Sequence, residues 1–302
     1  MSEAAIDIAV QEPAVPPGGP PVGPLGLGAA WRRLPLSGRI GALVVAFWLV
    51  TALAGPWIAP YPIGAIVAGD VFEPPSLRHL LGSDYLGRDV LSRMLTGARY
   101  TVGLALASAA AASFMGASLA LLAAVSARWI DEALSRFMDA MISLPSKVLA
   151  LVMVAAFGAS TPLLLMTLAV TYTPGAYRIA RALAVGLNQM DYVQAARARG
   201  EGRFYIARSE ILPNMINPVL ADFGLRFGFV VLLLSGLSFL GLGVQPPNAD
   251  LGSLVRENTS GLAAGAPAIV APAVAIATLT IAVNLLIDGL SGGRLRAGGT
   301  GE

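Results

Sequence analysis

The segment DYVQAARARGEGRFYIARSEILPN, residues 191–214, is a polar and basic island between long apolar stretches of the chain. Residues 193–199 have a composition compatible with a helix, and Gly200 and Gly202 break it. Residues 203–212 predict a second short helix that stops at Pro213. The island therefore predicts a helix, a bend and a helix that lie outside a bilayer, with chain on both sides that can enter one.

The composition is that of an integral membrane protein. The 302 residues are 56% hydrophobic and 13% charged, with a mean hydropathy of +0.71, whereas a soluble domain carries about 25% charged residues. Several charge-poor stretches are long enough to cross a hydrocarbon core about 30 Å thick, which takes about 20 helical residues. The sequence contains no cysteine, so disulfides and thiolate metal sites are excluded. These features predict an all-α integral membrane protein.

Six apolar stretches are long enough to be membrane spans. They occupy residues 40–58, 100–125, 137–157, 163–183, 219–244 and 266–287. An even number of spans places both termini on one side, and most arginines near span ends fall on that same side. Because basic residues near span ends are retained in the cytoplasm, the sequence predicts that both termini and the 191–214 segment are cytoplasmic.

The distribution of apolar and small residues divides the chain into three parts. Residues 1–38 are rich in Pro, Gly and Ala and predict a disordered cytoplasmic tail. Residues 39–290 form the predicted six-span domain, with an outer loop at 59–98 and a cytoplasmic loop at 188–217. Residues 291–302 are predicted to be a cytoplasmic C-terminal tail.

The cytoplasmic loop has the composition of a binding surface. Its apolar residues include Phe204, Tyr205, Ile206, Ile211 and Leu212, and its basic residues are Arg197, Arg199, Arg203 and Arg208. Aromatic residues with an arginine rim are typical of protein interfaces. An amphipathic helix that rests on anionic lipid headgroups would have the same composition. Composition alone therefore leaves a protein partner and a lipid surface as equal alternatives.

The order of small residues in this loop resembles the EAA loop of ABC-importer permeases, the cytoplasmic element that seats on an ATP-hydrolysing subunit. The resemblance rests on Ala195-Ala196, Gly200 and Leu212-Pro213 in this order and spacing. It favours docking on a protein partner over a lipid surface.

Two further segments are similar to dipeptide, oligopeptide and nickel permeases. HLLGSDYLGRDVLSR, residues 79–93, resembles the segment after their first span, and SFLGLGVQPPNADLG, residues 238–252, resembles the segment that leaves their fifth. Two residues depart from the family pattern, since Gln194 stands where Glu is usual and Glu210 where His is common. The resemblance extends from about residue 35 to about residue 290.

The resemblance implies the type I importer permease fold, with six transmembrane helices and both termini in the cytoplasm. It implies a multi-pass protein of the inner, cytoplasmic membrane that works with a second homologous permease, two ATP-binding subunits and a periplasmic or extracellular solute-binding protein. Membrane lipid is an expected partner and nucleic acid is not. Small peptides are the favoured substrates, and nickel or another small solute is the alternative. The residues expected to dock on the ATP-binding subunits are Gln194, Ala195, Ala196, Gly200, Phe204, Tyr205, Ile211, Leu212 and Pro213.

The sequence carries no signature of an enzyme. It lacks the G-x-x-x-x-G-K-[ST] phosphate loop, the G-x-S-x-G elbow and the H-E-x-x-H helix, so any energy for transport must come from elsewhere. The resemblance implies that a separate ATPase subunit supplies it. A secondary transporter driven by an ion gradient would show inverted repeats and paired acidic residues at mid-membrane, and neither is visible. A membrane-embedded enzyme would need a convergent set of nucleophile, base and metal ligands, and the sequence shows no such set.

No cofactor or metal is predicted. His79 lies near Asp84 and Asp89 in sequence, and these residue types can ligate a metal. A loop that satisfies its own charges, with turns at Gly82 and Gly87, is the favoured interpretation.

Four charged residues are predicted to lie at membrane depth. Asp139 and Lys147 fall in the third span, and Asp222 and Arg226, at i and i+4, lie near the inner end of the fifth. The second pair can close on itself along a helix, and structural roles near the cytoplasmic interface are favoured. Lys147 is the candidate residue of the translocation pathway. The span at 100–125 is rich in Ala, Gly and Ser, so it is predicted to be buried among its neighbours.

Overall fold

The computed structural model describes residue 31 and residues 34–263 and 265–297, and this part of the chain contains helices, loops and isolated β-bridges but no longer strand. Its helices are, in chain order, α1 (Leu36–Ile58), α2 (Val90–Val125), α3 (Arg128–Ile142), α4 (Ser146–Phe157), α5 (Thr161–Asn188), α6 (Asp191–Ala198), α7 (Arg203–Phe239), α8 (Leu251–Glu257) and α9 (Pro267–Ala297). The all-α class is confirmed. Most of the predicted tail at 1–38, and the chain beyond 297, lie outside the described residues.

Four of the described helices, α1, α2, α7 and α9, are long and apolar enough to cross a membrane. Helices α3 and α4 count together as a fifth candidate, although they are bent by 91° at the break between them. Helix α5 has 28 residues and a length of about 42 Å, but its arginines and threonines lower its hydropathy. The count of six spans therefore stays a prediction.

The structure divides the predicted span at 137–157 into two helices, α3 and α4. Pro145 lies in the bend, where it has no N–H to continue a helix and disfavours a helical conformation at Leu144. The Ser143 hydroxyl donates to the Ala140 carbonyl at 2.7 Å, which satisfies a backbone group at the end of α3. The amphipathic α3 and the apolar α4 can therefore lie in different surroundings.

Helix α2 is the centre of the bundle and packs against α1, α5 and α7. Ala105, Ala109 and Ala112 have no exposed surface, whereas Phe114 and Leu122 of the same span are exposed. One face of the small-residue span is therefore buried among its neighbours. Small residues let helix backbones approach closely in a membrane, where lipid offers no hydrophobic drive for association.

Glycines set the contact between α1 and α9. A Cβ atom at Gly41 would lie 2.6 Å from the Ala282 carbonyl oxygen, and one at Gly289 would lie 2.6 Å from the Gly38 Cα atom. Because backbone atoms are in the way, a larger residue at either position would separate the helices. The first and last described helices are thus held side by side.

Helix α7 begins with an irregular turn. After Arg203–Tyr205 the segment Ile206–Ile211 is a π-helix, and the chain continues without a break through Pro213 to Phe239. The predicted stop at Pro213 is therefore wrong. Pro213 lies in the first turn of the regular α-helix, where a missing N–H costs little, and the wider π turn before it keeps the helix continuous.

A charged network fixes the loop between α1 and α2. The buried Asp84 carboxylate accepts hydrogen bonds from Arg88 Nε and from Arg93, both at 2.7 Å. Glu257 on α8 accepts from the same two arginines at 3.1 Å and 2.8 Å. The prediction that this loop satisfies its own charges is confirmed, and the network also ties the loop to α8.

His79 belongs to the same loop and is buried. Its Nδ1 atom lies 3.3 Å from the Asp89 carboxylate, which also caps α2 by accepting from the Ser92 backbone N–H at 2.8 Å. Gly82 and Gly87 turn the chain, each with φ of +74°. Within the described part of the chain, no group of three or more His, Asp or Glu side chains could hold a metal ion. The contact of His79 is with Asp89, the residue that caps α2.

Candidate docking site between α5 and α7

The loop between α5 and α7 begins with α6 and turns sharply after it. Gly200 has φ of +86° and donates its N–H to the Arg197 carbonyl at 2.9 Å, and the Glu201 N–H donates to the Ala196 carbonyl at 3.2 Å. These two bonds form a Schellman motif, which ends a helix at a residue with positive φ. Since glycine adopts this conformation without steric cost, the predicted bend at Gly200 is confirmed.

One face of the loop is buried in the protein's own core. Val193, Ala196, Ile206, Ile211 and Met215 are at most 3% exposed and pack in one apolar cluster with residues of α2 and α5. Ala196 and Ile211 are predicted docking residues, but the structure leaves their side chains no surface for a partner. The helical periodicity of α6 and the π turn of α7 direct them inward, so they hold the loop in place.

The opposite face of the loop is exposed. Phe204 and Tyr205 keep 76% and 41% of their surface exposed, although both are large and aromatic. Leu212 is half-buried. Exposed aromatic residues on a firmly anchored loop are typical of a binding surface. We call the exposed members of the predicted set the docking face, which consists of Gln194, Ala195, Gly200, Phe204, Tyr205 and Pro213.

Asn188, at the end of α5, ties the loop to its neighbours. Its Nδ2 donates to the Ala124 carbonyl of α2 at 2.8 Å, and its Oδ1 accepts from Arg197 at 2.7 Å. Gln194 Nε2 donates to the Asn188 carbonyl at 3.3 Å. The sequence did not single out Asn188, because asparagine is common wherever a helix ends. The docking face is thus mounted on the ends of α2 and α5.

Glu210, an atypical residue for the resembled family, is used within the loop. Its carboxylate lies 3.9 Å from Arg199, and its backbone carbonyl accepts from Asn214 Nδ2 at 2.7 Å. The same amide nitrogen donates to the Tyr192 hydroxyl at 3.3 Å. Burial, and then the Glu210 carboxylate, raise the pKa of the Tyr192 hydroxyl. Tyr192 therefore stays neutral at physiological pH, and these contacts join α6 to α7.

Cross-helix ion pairs join α3 to α5, the helix that precedes this loop. Arg181 of α5 binds the Asp131 carboxylate through two nitrogens, and Arg178 binds Asp139 at 2.7 Å. Met138 of α3 packs in the same apolar cluster as the buried face of the loop. Asp139, predicted at membrane depth, is therefore paired with an arginine of α5.

Asp222 and Arg226 form a buried pair on α7. Arg226 Nε donates to Asp222 Oδ2 at 2.7 Å and a terminal nitrogen donates to Oδ1 at 3.0 Å, which confirms the predicted i, i+4 pair. The other terminal nitrogen donates to the Tyr172 carbonyl of α5 at 2.9 Å, so the pair joins α7 to α5. Lys147, the candidate pathway residue, lies in the first turn of α4 with an exposed side chain.

Comparison with known proteins agrees with this architecture. Residues 116–292, more than half of the chain, match the family described as "Binding-protein-dependent transport system inner membrane component". The matched segment contains α5, the docking face and α7.

Relatives match over most of their length. A provisionally named peptide transport system permease protein of Brucella suis biovar 1 is 35% identical over 252 residues, which are 83% of this chain and 85% of the relative. The di/tripeptide transport system permease protein of Pseudomonas aeruginosa is 34% identical, with 84% and 86% covered. The glutathione transport system permease protein of Pectobacterium atrosepticum is 31% identical, with 82% and 81% covered. This chain therefore belongs to the family of inner membrane components of binding-protein-dependent transport systems, the permeases of ABC importers.

Proposed function

We propose that this chain is the permease subunit that passes small peptides across the cytoplasmic membrane with energy from a separate ATPase. The docking face carries the proposal, because it is the exposed side of a loop whose other side is buried against α2 and α5. The names of the relatives, which refer to peptides, di/tripeptides and glutathione, support a peptide substrate. Nickel or another small solute is the alternative.

Helix α7 carries movement of the docking face into the membrane. It is continuous from Arg203 to Phe239, so it reaches about 55 Å from the docking face. The hydrogen bond from Arg226 to the Tyr172 carbonyl couples movement of α5 to movement of α7. Closure of the ATP-binding subunits thus biases a gate with two states, in the way that any ligand shifts an equilibrium between conformations.

The complete importer contains two homologous permeases, two ATP-binding subunits and a periplasmic or extracellular solute-binding protein, and it is embedded in membrane lipid. The description of the family, which names a binding protein, supports the last of these partners. Residues 39–290 form the six-span domain between cytoplasmic tails at 1–38 and 291–302. Helix α5 and the α3–α4 pair supply two spans besides the four apolar helices. The pathway runs between the two permeases, and the exposed position of Lys147 supports its place there.

A transporter driven by an ion gradient is the alternative from another class. Such a transporter needs carboxylates at membrane depth that bind and release an ion. Both oxygens of Asp222 are engaged by Arg226, and Asp139 is paired with Arg178. The buried Asp222 carboxylate is therefore committed to Arg226, which favours the ATP-driven importer; Asp139 is an exposed pair that contributes less to this argument.

Phe204→Ala is expected to weaken the binding of ATP-binding subunits about 30-fold or more. An exposed aromatic anchor at an interface contributes about 2 kcal/mol or more, and a difference of 1.4 kcal/mol is about tenfold in affinity. The measurement is recovery of ATP-binding subunits with the tagged permease from native membranes, followed by an ATPase assay.

Ile206→Ala is the matched control for Phe204→Ala. Ile206 is 3% exposed, so its truncation should lower the yield of folded permease by leaving a cavity. The number of subunits recovered per folded permease should not change. If Phe204→Ala recovers as many ATP-binding subunits as the wild type, the proposal that the docking face binds them is contradicted.

Gly200→Asp is expected to lower the affinity for the ATP-binding subunits by about fivefold. The φ of +86° at Gly200 disfavours residues that carry a Cβ atom, by about 1 kcal/mol, so the turn that presents Phe204 is strained. Gly202→Asp adds the same charge at φ of −73°, and nothing lies within 4 Å of its Cβ position. We expect Gly202→Asp to bind the ATP-binding subunits as the wild type does. If both variants lose the subunits equally, the added charge and not the backbone conformation at Gly200 is the cause.

The substrate is tested separately, with the reconstituted importer and its binding protein in proteoliposomes. Labelled dipeptide should be taken up when ATP is supplied on the side of the docking face. Competition by unlabelled peptides supports the peptide substrate, and competition by nickel alone would favour the alternative.

A further inference from the structure

A polar cavity lies at the end of α7 opposite the docking face. It has a volume of about 300 Å³ and lies between the chain that follows α7, helix α8 and the loop that precedes α2. Its polar lining includes Tyr85, Gln245, Arg256 and Glu257. Since the docking face lies at the other end of α7, about 55 Å away, the cavity faces the outside in the proposed importer.

Arg256 is the free charge of this cavity. Its side chain is exposed, and within the described part of the chain its guanidinium makes no hydrogen bond or ion pair. The guanidinium lies against Gly241, where a Cβ atom would come within 2.8 Å of Arg256 Cζ. Glu257 lines the same cavity, but its carboxylate is already bound by Arg88 and Arg93. The cavity therefore offers an uncompensated positive charge.

The walls of the cavity are held in place by hydrogen bonds. The buried Asp250 carboxylate accepts from Ser238 Oγ at 2.7 Å, from the Val244 N–H at 3.1 Å and from the Gly252 N–H at 2.8 Å. Gln245 Nε2 donates to the Gly243 carbonyl at 2.8 Å. The backbone around Arg256 is thus already ordered, so binding costs mainly the rotamer entropy of the Arg256 side chain.

We propose that this cavity receives a carboxylate side chain of the solute-binding protein, with Arg256 as its partner. Guanidinium groups bind carboxylates through two parallel hydrogen bonds, and the Tyr85 hydroxyl can donate a third. The binding protein is the favoured source of the carboxylate because the cavity lies beyond the apolar length of α7, at the surface where that protein must deliver its cargo. This inference rests on the proposed function, an importer served by a binding protein.

Arg256→Glu tests the proposal in the reconstituted importer. The binding protein that co-purifies from native membranes is titrated onto proteoliposomes, and stimulation of ATPase activity is measured. We expect the half-maximal concentration of binding protein to rise about tenfold or more with Arg256→Glu. Arg256→Lys keeps the charge but cannot form two parallel hydrogen bonds to a carboxylate, so the rise should be smaller. Arg78→Glu makes the same charge change at an exposed residue of the outer loop. This control should change the half-maximal concentration of binding protein by less than about twofold.

Charge reversal on the partner completes the test. Acidic residues of the binding protein are replaced by lysine one at a time. One of these variants should restore stimulation of the Arg256→Glu importer and weaken stimulation of the wild type. Equal effects of Arg256→Glu and Arg78→Glu would overturn the proposal, since general electrostatic attraction would then explain both. Unchanged stimulation, with lost discrimination between a dipeptide and its C-terminal amide, would overturn it in favour of a substrate carboxylate. Failure of the wild-type importer to respond to any binding protein would overturn the proposed function as well.

Discussion

Asp222→Leu is expected to remove most of the folded permease from the membrane. Asp222 and Arg226 are 9% and 6% exposed, and the carboxylate takes two of the N–H donors of the arginine. Removing one partner of a buried ion pair costs about 3–5 kcal/mol, because the other charge stays buried and uncompensated. Folded domains have only about 5–15 kcal/mol in reserve, so a loss of this size should appear as low yield and a lower Tm.

The matched variant is the double substitution Asp222→Leu with Arg226→Met. It replaces both charges by apolar side chains, and such replacements are often neutral or stabilising, so most of the stability should return. The measurement is the thermal midpoint in detergent by fluorescence-detected size exclusion. A double variant as unstable as the single one would show that the bond to the Tyr172 carbonyl, or the packing of the guanidinium against Gly175, decides stability instead.

Gly116→Leu is expected to separate the two most closely packed helices. A Cβ atom at Gly116 would lie 2.5 Å from Ala176 Cβ and 2.7 Å from the Tyr177 backbone nitrogen. These atoms belong to the frame of α5, so they cannot move aside by rotating a side chain. Overpacking typically costs about 1–3 kcal/mol and more where the backbone must shift. We expect low yield and a lower Tm for this variant.

Gly103→Leu is the control for Gly116→Leu in the same helix. Gly103 is exposed, and nothing lies within 4 Å of its Cβ position. Its replacement should change stability by less than about 0.5 kcal/mol, as is usual for surface sites. Yield and Tm of both variants are measured together. An equal loss with Gly103→Leu would show that the lost glycine, and not the crossing of α2 with α5, causes the instability.

The features that could be predicted from the sequence depend on short-range chemistry. Asp222 and Arg226 are four residues apart, so a helix brings them together whatever surrounds it. Gly200 ends α6 because it adopts a positive φ that other residues resist. Ala105, Ala109 and Ala112 of the Ala-rich span are buried, since small residues on a membrane helix bring neighbouring helices close. These positions needed no knowledge of the tertiary structure.

Two prolines show where this reasoning ends. Pro145 falls inside a predicted span, where the structure bends the chain by 91°. Pro213 was predicted to stop a helix, but the helix is continuous there. Pro213 follows a π turn whose Ile206 and Ile211 are buried against other helices. That packing keeps the chain helical through the proline. The bend at Pro145 lies in an exposed segment, residues 142–148, that has no such support.

By itself the sequence determined the membrane class, the helical composition, the family and the position of the loop between α5 and α7, because each depends on composition or on residues near one another in the chain. Only the tertiary structure decided that Ala196 and Ile211 face inward while Phe204 faces outward. It also decided that Glu257 is occupied, which leaves Arg256 without a partner in the described part of the chain. Burial and charge pairing of this kind are set by helices far apart in sequence, and no local pattern records which of them will meet.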